Sequence, residues 1–310
     1  MHPAFSVIFF TTASGAGYGL LALVGIAAPL GLLPQDKGFG TAVMSLALGL
    51  ITVGLLSSTA HLGRPERAWR AFSQWRTSWL SREGVLSVAT YLPALLFGAE
   101  WLVSGRLSPI VGFNMAGLAA ITIYCTAMIY ASLKPIPAWH NSRVPQVYAA
   151  LALMTGSLSL NAMSHLWGDA RPWVGALAAA STLLGLVIKM QYWRFIDATS
   201  GPSTAQTATG LKGTVTLLDG PHTEQNYLLR EMGYVIARKH AKKLRQIAVV
   251  LGFIVPLALT ILALIGGGRL AVFAAVPAAL FSLLGVLVER WLFFAEAKHT
   301  VTLYYGAATT

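Results

Sequence analysis

Long apolar runs, separated by short polar segments, divide the chain from one end to the other. A helix needs about 20 mainly apolar residues to cross the hydrocarbon core of a membrane. Eight runs reach that length, and no remaining segment is large enough for a separate soluble domain. They lie at Phe5–Leu33, Phe39–Ala60, Gly84–Val103, Pro109–Leu133, Val144–His165, Pro172–Phe195, Leu244–Gly267 and Leu270–Ala297. We therefore predict an all-α integral membrane protein in which residues 1–310 form a single bundle of eight transmembrane helices.

The composition agrees with this membrane pattern. Of the 310 residues, 55% are hydrophobic and 11% are charged, and the mean hydropathy is +0.64. A soluble domain carries about 25% charged residues. The formal net charge of +11 comes from basic residues in the short loops, which is typical of membrane topology and anionic lipid, not of nucleic-acid binding. The single cysteine, Cys125, excludes a disulfide framework within the chain.

The distribution of basic residues between the loops predicts the orientation. If the N-terminus is cytoplasmic, four of the 22 basic residues fall in external loops, two fall within spans, and the other sixteen face the cytoplasm. Cytoplasmic loops of membrane proteins carry an excess of Lys and Arg. We therefore predict that both termini are cytoplasmic and that the long loop at 196–243 is cytoplasmic as well. The external set is Lys37, Arg106, Arg171 and Arg269, and the set within spans is Lys189 and Arg290.

Candidate chemistry concentrates in the stretch between Ser57 and Gly84, where the second span ends and the third begins. This stretch carries a histidine, two carboxylates and five arginines at the edge of the membrane. Ionisable groups at that position are costly, so such a cluster is a functional-site candidate. Apart from Glu66, the ionisable residues of the stretch are His61, Arg64, Arg67, Arg70, Arg76, Arg82 and Glu83, and these form the candidate cluster.

Two interpretations of this stretch remain open on the residues alone. Tryptophans and arginines at a membrane edge are typical of an aromatic belt with arginines reaching to lipid headgroups, and Glu83 would then cap a helix. Alternatively, His61 and Glu83 exchange protons with a quinone headgroup, since His titrates near neutrality and carboxyl groups serve as general acids and bases. On the second interpretation Arg64, Trp69, Trp79 and Arg82 line the same site, as residues of the segment between the two groups.

The loop between the fourth and fifth spans adds two candidates on the same side. Pro135 and Pro137 make the segment extended and rigid, and Trp139 and His140 follow them. We predict that Trp139 and His140 contribute to the quinone pocket, with an interfacial anchor as the alternative. Glu289 and Arg290, within the last span, are predicted to form a buried structural pair.

Two further features bear on partners and cofactors. Haem b needs two histidines facing each other inside the bundle, whereas the histidines here lie at span ends, so no bound haem is predicted. The second half of the long loop, from His222 to Arg245, is predicted to be helical. It is either an interfacial helix on anionic lipid or a docking surface for a soluble partner.

Short motifs in these segments resemble those of the membrane anchor subunits of the dimethyl sulfoxide reductase type. They are His61-Leu62-Gly63-Arg64-Pro65 with Arg67-Ala68, Leu80-Ser81 with Glu83, Pro137-Ala138-Trp139, and Glu289-Arg290 with His299. The resemblance covers all eight spans. It implies a subunit of the bacterial inner membrane that holds no metal of its own and binds quinone or quinol, with His61 and Glu83 at the positions of the family's quinol site. The implied partners are a ferredoxin-like iron–sulfur subunit and a molybdopterin catalytic subunit, which carry the clusters and the molybdenum cofactor.

The predicted orientation refines the expected function. The reductase anchor is drawn with its termini outside, whereas the charge pattern here puts them inside. Cytoplasm-facing sulfite-oxidising relatives fit better, and they would deliver electrons to quinone. The alternatives are a quinol-oxidising anchor of a terminal reductase and, from another class, a transporter. A transporter places charges near the membrane midplane, whereas most charges here cluster at one face.

Overall fold

The structure is a computed structural model that describes residues 5–59, 62, 64–199, 201, 203–220 and 238–307. Within these residues, eight helices are long and apolar enough to cross a membrane, which confirms the predicted number. From the first span to the eighth, they are Phe5–Ala27, Lys37–Thr59, Trp79–Val103, Pro109–Ala131, Arg143–Leu166, Pro172–Ala198, Ala241–Ile265 and Gly268–Ala295.

The third span begins earlier than the apolar pattern predicted. The helix starts at Trp79, because the side chain of Ser78 accepts a hydrogen bond from the backbone N–H of Ser81 and so caps it. The apolar run had indicated a start at Gly84. The first turn contains polar residues, so the apolar pattern did not include it. Glu83 therefore lies inside the helix, one turn from its N-terminal end.

The first and fifth spans form the centre of the bundle. The first packs against the second, fourth, fifth and eighth, and the fifth packs against the fourth, sixth and eighth as well. The first and fifth spans approach each other at glycines: a Cβ on Gly19 would collide with the backbone of Ala152, and one on Gly156 would collide with Gly19. Small residues allow such close helix packing in a membrane, where apolar burial alone does not drive association.

The seventh span is irregular near its middle. A single π-helical turn, Val250–Ile254, joins the helical segments Ala241–Val249 and Val255–Ile265. At this turn Gly252 meets Gly285 of the eighth span so closely that a Cβ on Gly285 would collide with the Gly252 backbone. π-turns are found frequently at functional sites, and this one lies where two backbones touch.

Even-numbered spans end, and odd-numbered spans begin, at one face of the bundle, which we call the basic face. It carries the 3₁₀ helix Pro65–Phe72 between the second and third spans and the 3₁₀ helix Thr300–Tyr305 after the eighth. In the long loop, the structure describes one short helix, Ala205–Thr209, which contacts the C-terminal 3₁₀ helix. The helix predicted from His222 lies outside the described residues, apart from its last turns.

Candidate functional site

A cavity of about 800 Å³ opens at the basic face, between the ends of several spans. The first, second, third, fourth and eighth spans line it, together with the 3₁₀ helix Pro65–Phe72. Most of its wall is apolar, with contributions such as Phe10, Leu55, Ile129 and Phe294. Its size falls in the usual range of small-molecule sites, and an apolar wall with few polar groups suits a flat ring carrying an apolar tail.

Glu83 supplies a carboxyl group to this pocket. It projects from the third span, and only 5% of its surface is exposed. The hydroxyl of Thr126, in the fourth span, donates a hydrogen bond of 2.5 Å to Glu83 Oε1. Of the described residues that line the pocket, Glu83 is the one acid. It can therefore hold or release a proton at the buried wall, beside a bound ring oxygen.

The 3₁₀ helix Pro65–Phe72 forms the outer rim of the pocket. Arg64, Arg67, Trp69 and Phe72 all line it, and Trp69 is 64% exposed. Residues three apart lie above one another in a 3₁₀ helix, which puts Trp69 and Phe72 on one side. The rim thus combines two cations with two aromatic rings at the depth of the membrane interface.

Trp79 and Arg82 of the third span were predicted at the site, but neither lines the pocket. Arg82 donates from Nε to the backbone oxygen of Trp75 at 3.0 Å and from Nη2 to that of Arg76 at 2.6 Å. Its guanidinium also stacks 4.3 Å from the ring centroid of Trp79. Arg82 thus satisfies backbone carbonyls of the preceding loop, and the Trp79 ring packs edge-on against Tyr124, with the ring centroids 5.9 Å apart. The Arg82 hydrogen bonds fix that loop to the third span and so position the rim.

Trp139 and His140 do not line the cavity either. Trp139 stacks on Phe293 with ring centroids 5.5 Å apart, and its Nε1 donates to the Phe293 backbone oxygen at 2.9 Å. It also lies edge-on to Tyr130, a lining residue, at 5.3 Å. His140 Nδ1 is 2.7 Å from the backbone oxygen of Ala131. Both side chains are held by backbone carbonyls, and neither lines the cavity, so their part in quinone binding stays a prediction.

His61 lies outside the described residues. The described residues on either side of it, Thr59 and Leu62, both line the pocket, as does Arg64. The short segment that contains His61 therefore begins and ends at the cavity. Its role in the site stays a prediction.

Sequence reasoning missed Thr126 and Tyr130 of the fourth span. Both line or support the Glu83 side of the cavity, Thr126 by its hydrogen bond and Tyr130 by its ring. The only sequence signal was a hydroxyl within an apolar run. Such hydroxyls are common in this chain, and most bond back to their own helix, as Thr122 does to the Leu118 carbonyl.

Comparison with known proteins gives a consistent set of similarities. The model of the family "DMSO reductase anchor subunit (DmsC)" matches residues 1–306. A sulfite dehydrogenase subunit of Allochromatium vinosum is 36% identical over 328 aligned residues, which cover 98% of this chain and 99% of that protein. The anaerobic dimethyl sulfoxide reductase chain YnfH of Escherichia coli is 28% identical over 116 residues, which cover 35% of this chain and 39% of that one.

Proposed function

The chain belongs to the family of DMSO reductase anchor subunits (DmsC), and on that premise we propose that it binds a quinone in the cavity beside Glu83. In this role it passes electrons between an iron–sulfur partner subunit and the quinone pool of the membrane. The observation that supports the proposal is the apolar cavity at membrane depth whose buried wall carries one carboxyl group. A quinone ring needs both features, because its tail is apolar and its oxygens exchange protons.

The pocket residues have distinct roles in the proposed reaction. Reduction of a quinone to a quinol takes two electrons and two protons. Glu83 gives a proton to one ring oxygen as electrons arrive from the partner subunit, and Thr126 holds the carboxyl in place. We propose that His61 serves the other ring oxygen. Trp69 and Phe72 cover the ring, while Arg64 and Arg67 attract the electron-rich oxygens.

The direction of electron flow is proposed from the relative that matches almost the full chain. That relative is named a sulfite dehydrogenase subunit, and electrons released from sulfite would flow towards quinone. We propose the same direction here, with a ferredoxin-like iron–sulfur subunit and a molybdopterin catalytic subunit docked on the basic face, and with that face towards the cytoplasm of a bacterial cell. Quinol oxidation is the second candidate, and the partial match to a dimethyl sulfoxide reductase chain favours it.

Substitution of Glu83 tests the quinone site. We expect Glu83→Gln to lower quinone-linked turnover of the whole complex by about 100-fold, since the amide occupies the same space but cannot exchange a proton. His61→Ala should lower it as well. Activity with an artificial electron acceptor that bypasses the membrane subunit should stay normal in both variants.

Glu66→Gln is the matched control. It makes the same chemical change in the same segment, at an exposed residue that does not line the cavity. We expect normal quinone kinetics for Glu66→Gln. Wild-type quinone kinetics in Glu83→Gln would contradict the proposed site.

A further inference from the structure

A cluster of buried ions lies behind the pocket, and the reaction proposed above does not use it. Glu289 of the eighth span forms an ion pair with Lys189 of the sixth span through Oε1 and with Arg290 through Oε2, the latter at 2.7 Å from Nε. None of the three side chains is more than 2% exposed. Burying charged groups costs several kcal/mol for each ion, and ionisable residues inside a membrane mark proton or ion paths by default.

The cluster is more than the predicted pair of neighbours on one helix. It joins two spans and holds two cations against one carboxylate. Aromatic rings partly offset the cost of burying the second cation. The Arg290 guanidinium lies 4.0 Å from the ring centroid of Tyr148, and Lys189 Nζ lies 4.2 Å from that of Tyr192. A purely structural link between two spans does not require this excess of positive charge.

On one side of the cluster lies a small cavity with hydroxyl groups among its lining residues. This cavity measures about 20 Å³, which is room for about one water molecule. Arg290 and Tyr148 line one part of it, and Thr126, the hydrogen-bond donor to Glu83, lines another. The other hydroxyl-bearing residues around it are Thr11, Thr12, Ser14, Tyr18 and Thr155. The cavity therefore lies between Arg290, the ion-pair partner of Glu289, and Thr126, the hydrogen-bond donor to Glu83.

On the other side, the cluster reaches towards the basic face. A cavity of about 400 Å³ lies where the sixth and eighth spans end, and Asp197, Arg245 and Glu296 line it. Arg245 binds Glu296 at 2.8 Å and Asp197 at 2.7 Å. Burial raises the pKa of the Glu296 carboxyl, and the opposing effect of Arg245 and Lys189 is smaller. Arg245, the partner of Glu296, lies 5.3 Å from the ring centroid of Trp193, and Lys189 Nζ lies 4.8 Å from the same centroid, so one ring joins the two groups.

We propose that these groups form a proton relay that runs from Glu296 at the basic face, through Lys189 and Glu289, to Glu83 in the quinone pocket. The inference rests on the proposed function, because it supplies the protons that quinone reduction consumes. A bound quinone fills the pocket with apolar atoms and separates Glu83 from water on that side. Protons then reach Glu83 from the side of Thr126, where hydroxyl groups line the small cavity.

The proton balance of the relay is simple. For each proton that Glu83 gives to a quinone oxygen, one passes to Glu83 from Glu289 by way of water in the small cavity and the Thr126 hydroxyl. Glu289 is reprotonated by Lys189, and Lys189 by Glu296 and the aqueous phase. Two protons enter for each quinol formed, the two electrons come from the partner subunit, and no relay residue changes oxidation state. Arg290 remains a fixed cation that orients the Glu289 carboxylate.

The test compares Lys189→Met and Glu289→Gln in the assembled complex, with Lys134→Met and Glu66→Gln as matched changes at exposed residues. We expect activity with the artificial acceptor and the KM for quinone to stay normal in all four. In the two relay variants, kcat should fall by at least about 10-fold and the solvent deuterium isotope effect on kcat should rise. A structural role would instead lower acceptor activity and assembly together and leave the isotope effect unchanged.

Glu296→Gln keeps the proposal testable if the buried variants do not assemble. Glu296 lies beyond the last turn of the eighth span, and its substitution at the mouth of the relay should raise the isotope effect and lower kcat in the same way. Wild-type kcat and isotope effect in Glu296→Gln and in every assembled relay variant would overturn the relay. If Glu83→Gln loses quinone turnover at the same time, the quinone site stands and only the relay fails. If Glu83→Gln is also normal, the proposed function fails with it.

Discussion

Glu83 brings a carboxyl group to the wall of an apolar pocket, one helical turn below the end of the third span. Its hydrogen-bond partner in the described structure is the Thr126 hydroxyl, and its surface is almost entirely covered. Burying a carboxyl group at this depth costs free energy, so its presence indicates a functional role. The role that we propose is proton exchange with a bound ring.

Removal of the Thr126 hydroxyl tests how far the position of Glu83 matters. Thr126→Val keeps the shape of the side chain and removes the 2.5 Å hydrogen bond. A hydrogen bond to a charged group contributes about 1.5–3 kcal/mol, so we expect kcat/KM for quinone to fall about 10-fold or more. Steady-state kinetics of the complex measure this.

Thr122→Val is the control for that change. Thr122 lies one turn earlier on the same face of the fourth span, is buried, and donates to the Leu118 carbonyl, not to Glu83. We expect little change in its quinone kinetics. Equal losses in the two variants would indicate a packing effect and not a role for the Glu83 hydrogen bond.

Some of the residues selected from the sequence line the cavity and others do not, for a physical reason. Charge at the membrane edge pointed to Glu83 and Arg64, and both line the pocket. The same rule also selected Arg82 and His140, whose side chains are held by nearby backbone carbonyls. Which way a polar side chain turns depends on the acceptors that the fold brings to it, and residue type alone does not contain that information.

Among the elements, the spans followed from the apolar runs, while the shorter segments did not. The ends of the spans differ from the predicted ones by a few residues. The first span ends at Ala27 and not at Leu33. The third begins at Trp79 and not at Gly84, because the Ser78 cap begins the helix among polar residues. The 3₁₀ helix Thr300–Tyr305 had no sequence signal. It is fixed by two hydrogen bonds from Thr300 to the Pro135 carbonyl, a contact between segments far apart in the chain.

This C-terminal element should be sensitive to pH through His299. The Nδ1 atom of His299 accepts a hydrogen bond of 3.1 Å from the Val301 N–H and caps the helix, and burial lowers the pKa of the imidazole. Only unprotonated Nδ1 can accept this bond. The stabilisation is therefore complete above the ordinary His pKa of about 6.5 and is lost as the pH falls through the lower value of the folded state.

Hydrogen–deuterium exchange measures this effect as protection factors for residues 301–305. We expect protection to decrease between neutral pH and about pH 5, because protonation removes the cap. His299→Asn is the control, since Asn caps helices well and does not titrate in this range. Protection that is independent of pH in the unsubstituted chain would show that His299 does not control this segment.

At the scale of the whole molecule, the candidate chemistry lies at the basic face. The Glu83 cavity, the buried ion cluster and the 400 Å³ cavity all lie in the half of the bundle nearest to it. Electrons that enter from a partner docked there would meet protons drawn from the same side. Neither has to cross the low-dielectric core against the membrane potential, where moving one charge costs about 2.3 kcal/mol per 100 mV.

The side of the membrane that the basic face occupies is predicted from the loop charges. Green fluorescent protein fused after Gly220, in the long loop, should fluoresce, and a fusion after Gly168, between the fifth and sixth spans, should not, because the first reporter stays in the cytoplasm. Alkaline phosphatase fusions at the same two positions should give the opposite pattern. Phosphatase activity at Gly220 alone would place the basic face outside and remove the basis for preferring a cytoplasmic sulfite-oxidising partner.

Photolabelling of the complex with an azidoquinone tests the central claim that quinone occupies the Glu83 cavity. Mass spectrometry of the membrane subunit should find adducts in 55–59 and in 80–88, the segments of the second and third spans that line the cavity. Excess unlabelled quinone should remove these adducts, while labelling of lipid-facing residues elsewhere should persist. Adducts confined to other segments, or adducts at the cavity that unlabelled quinone does not reduce, would contradict the assignment.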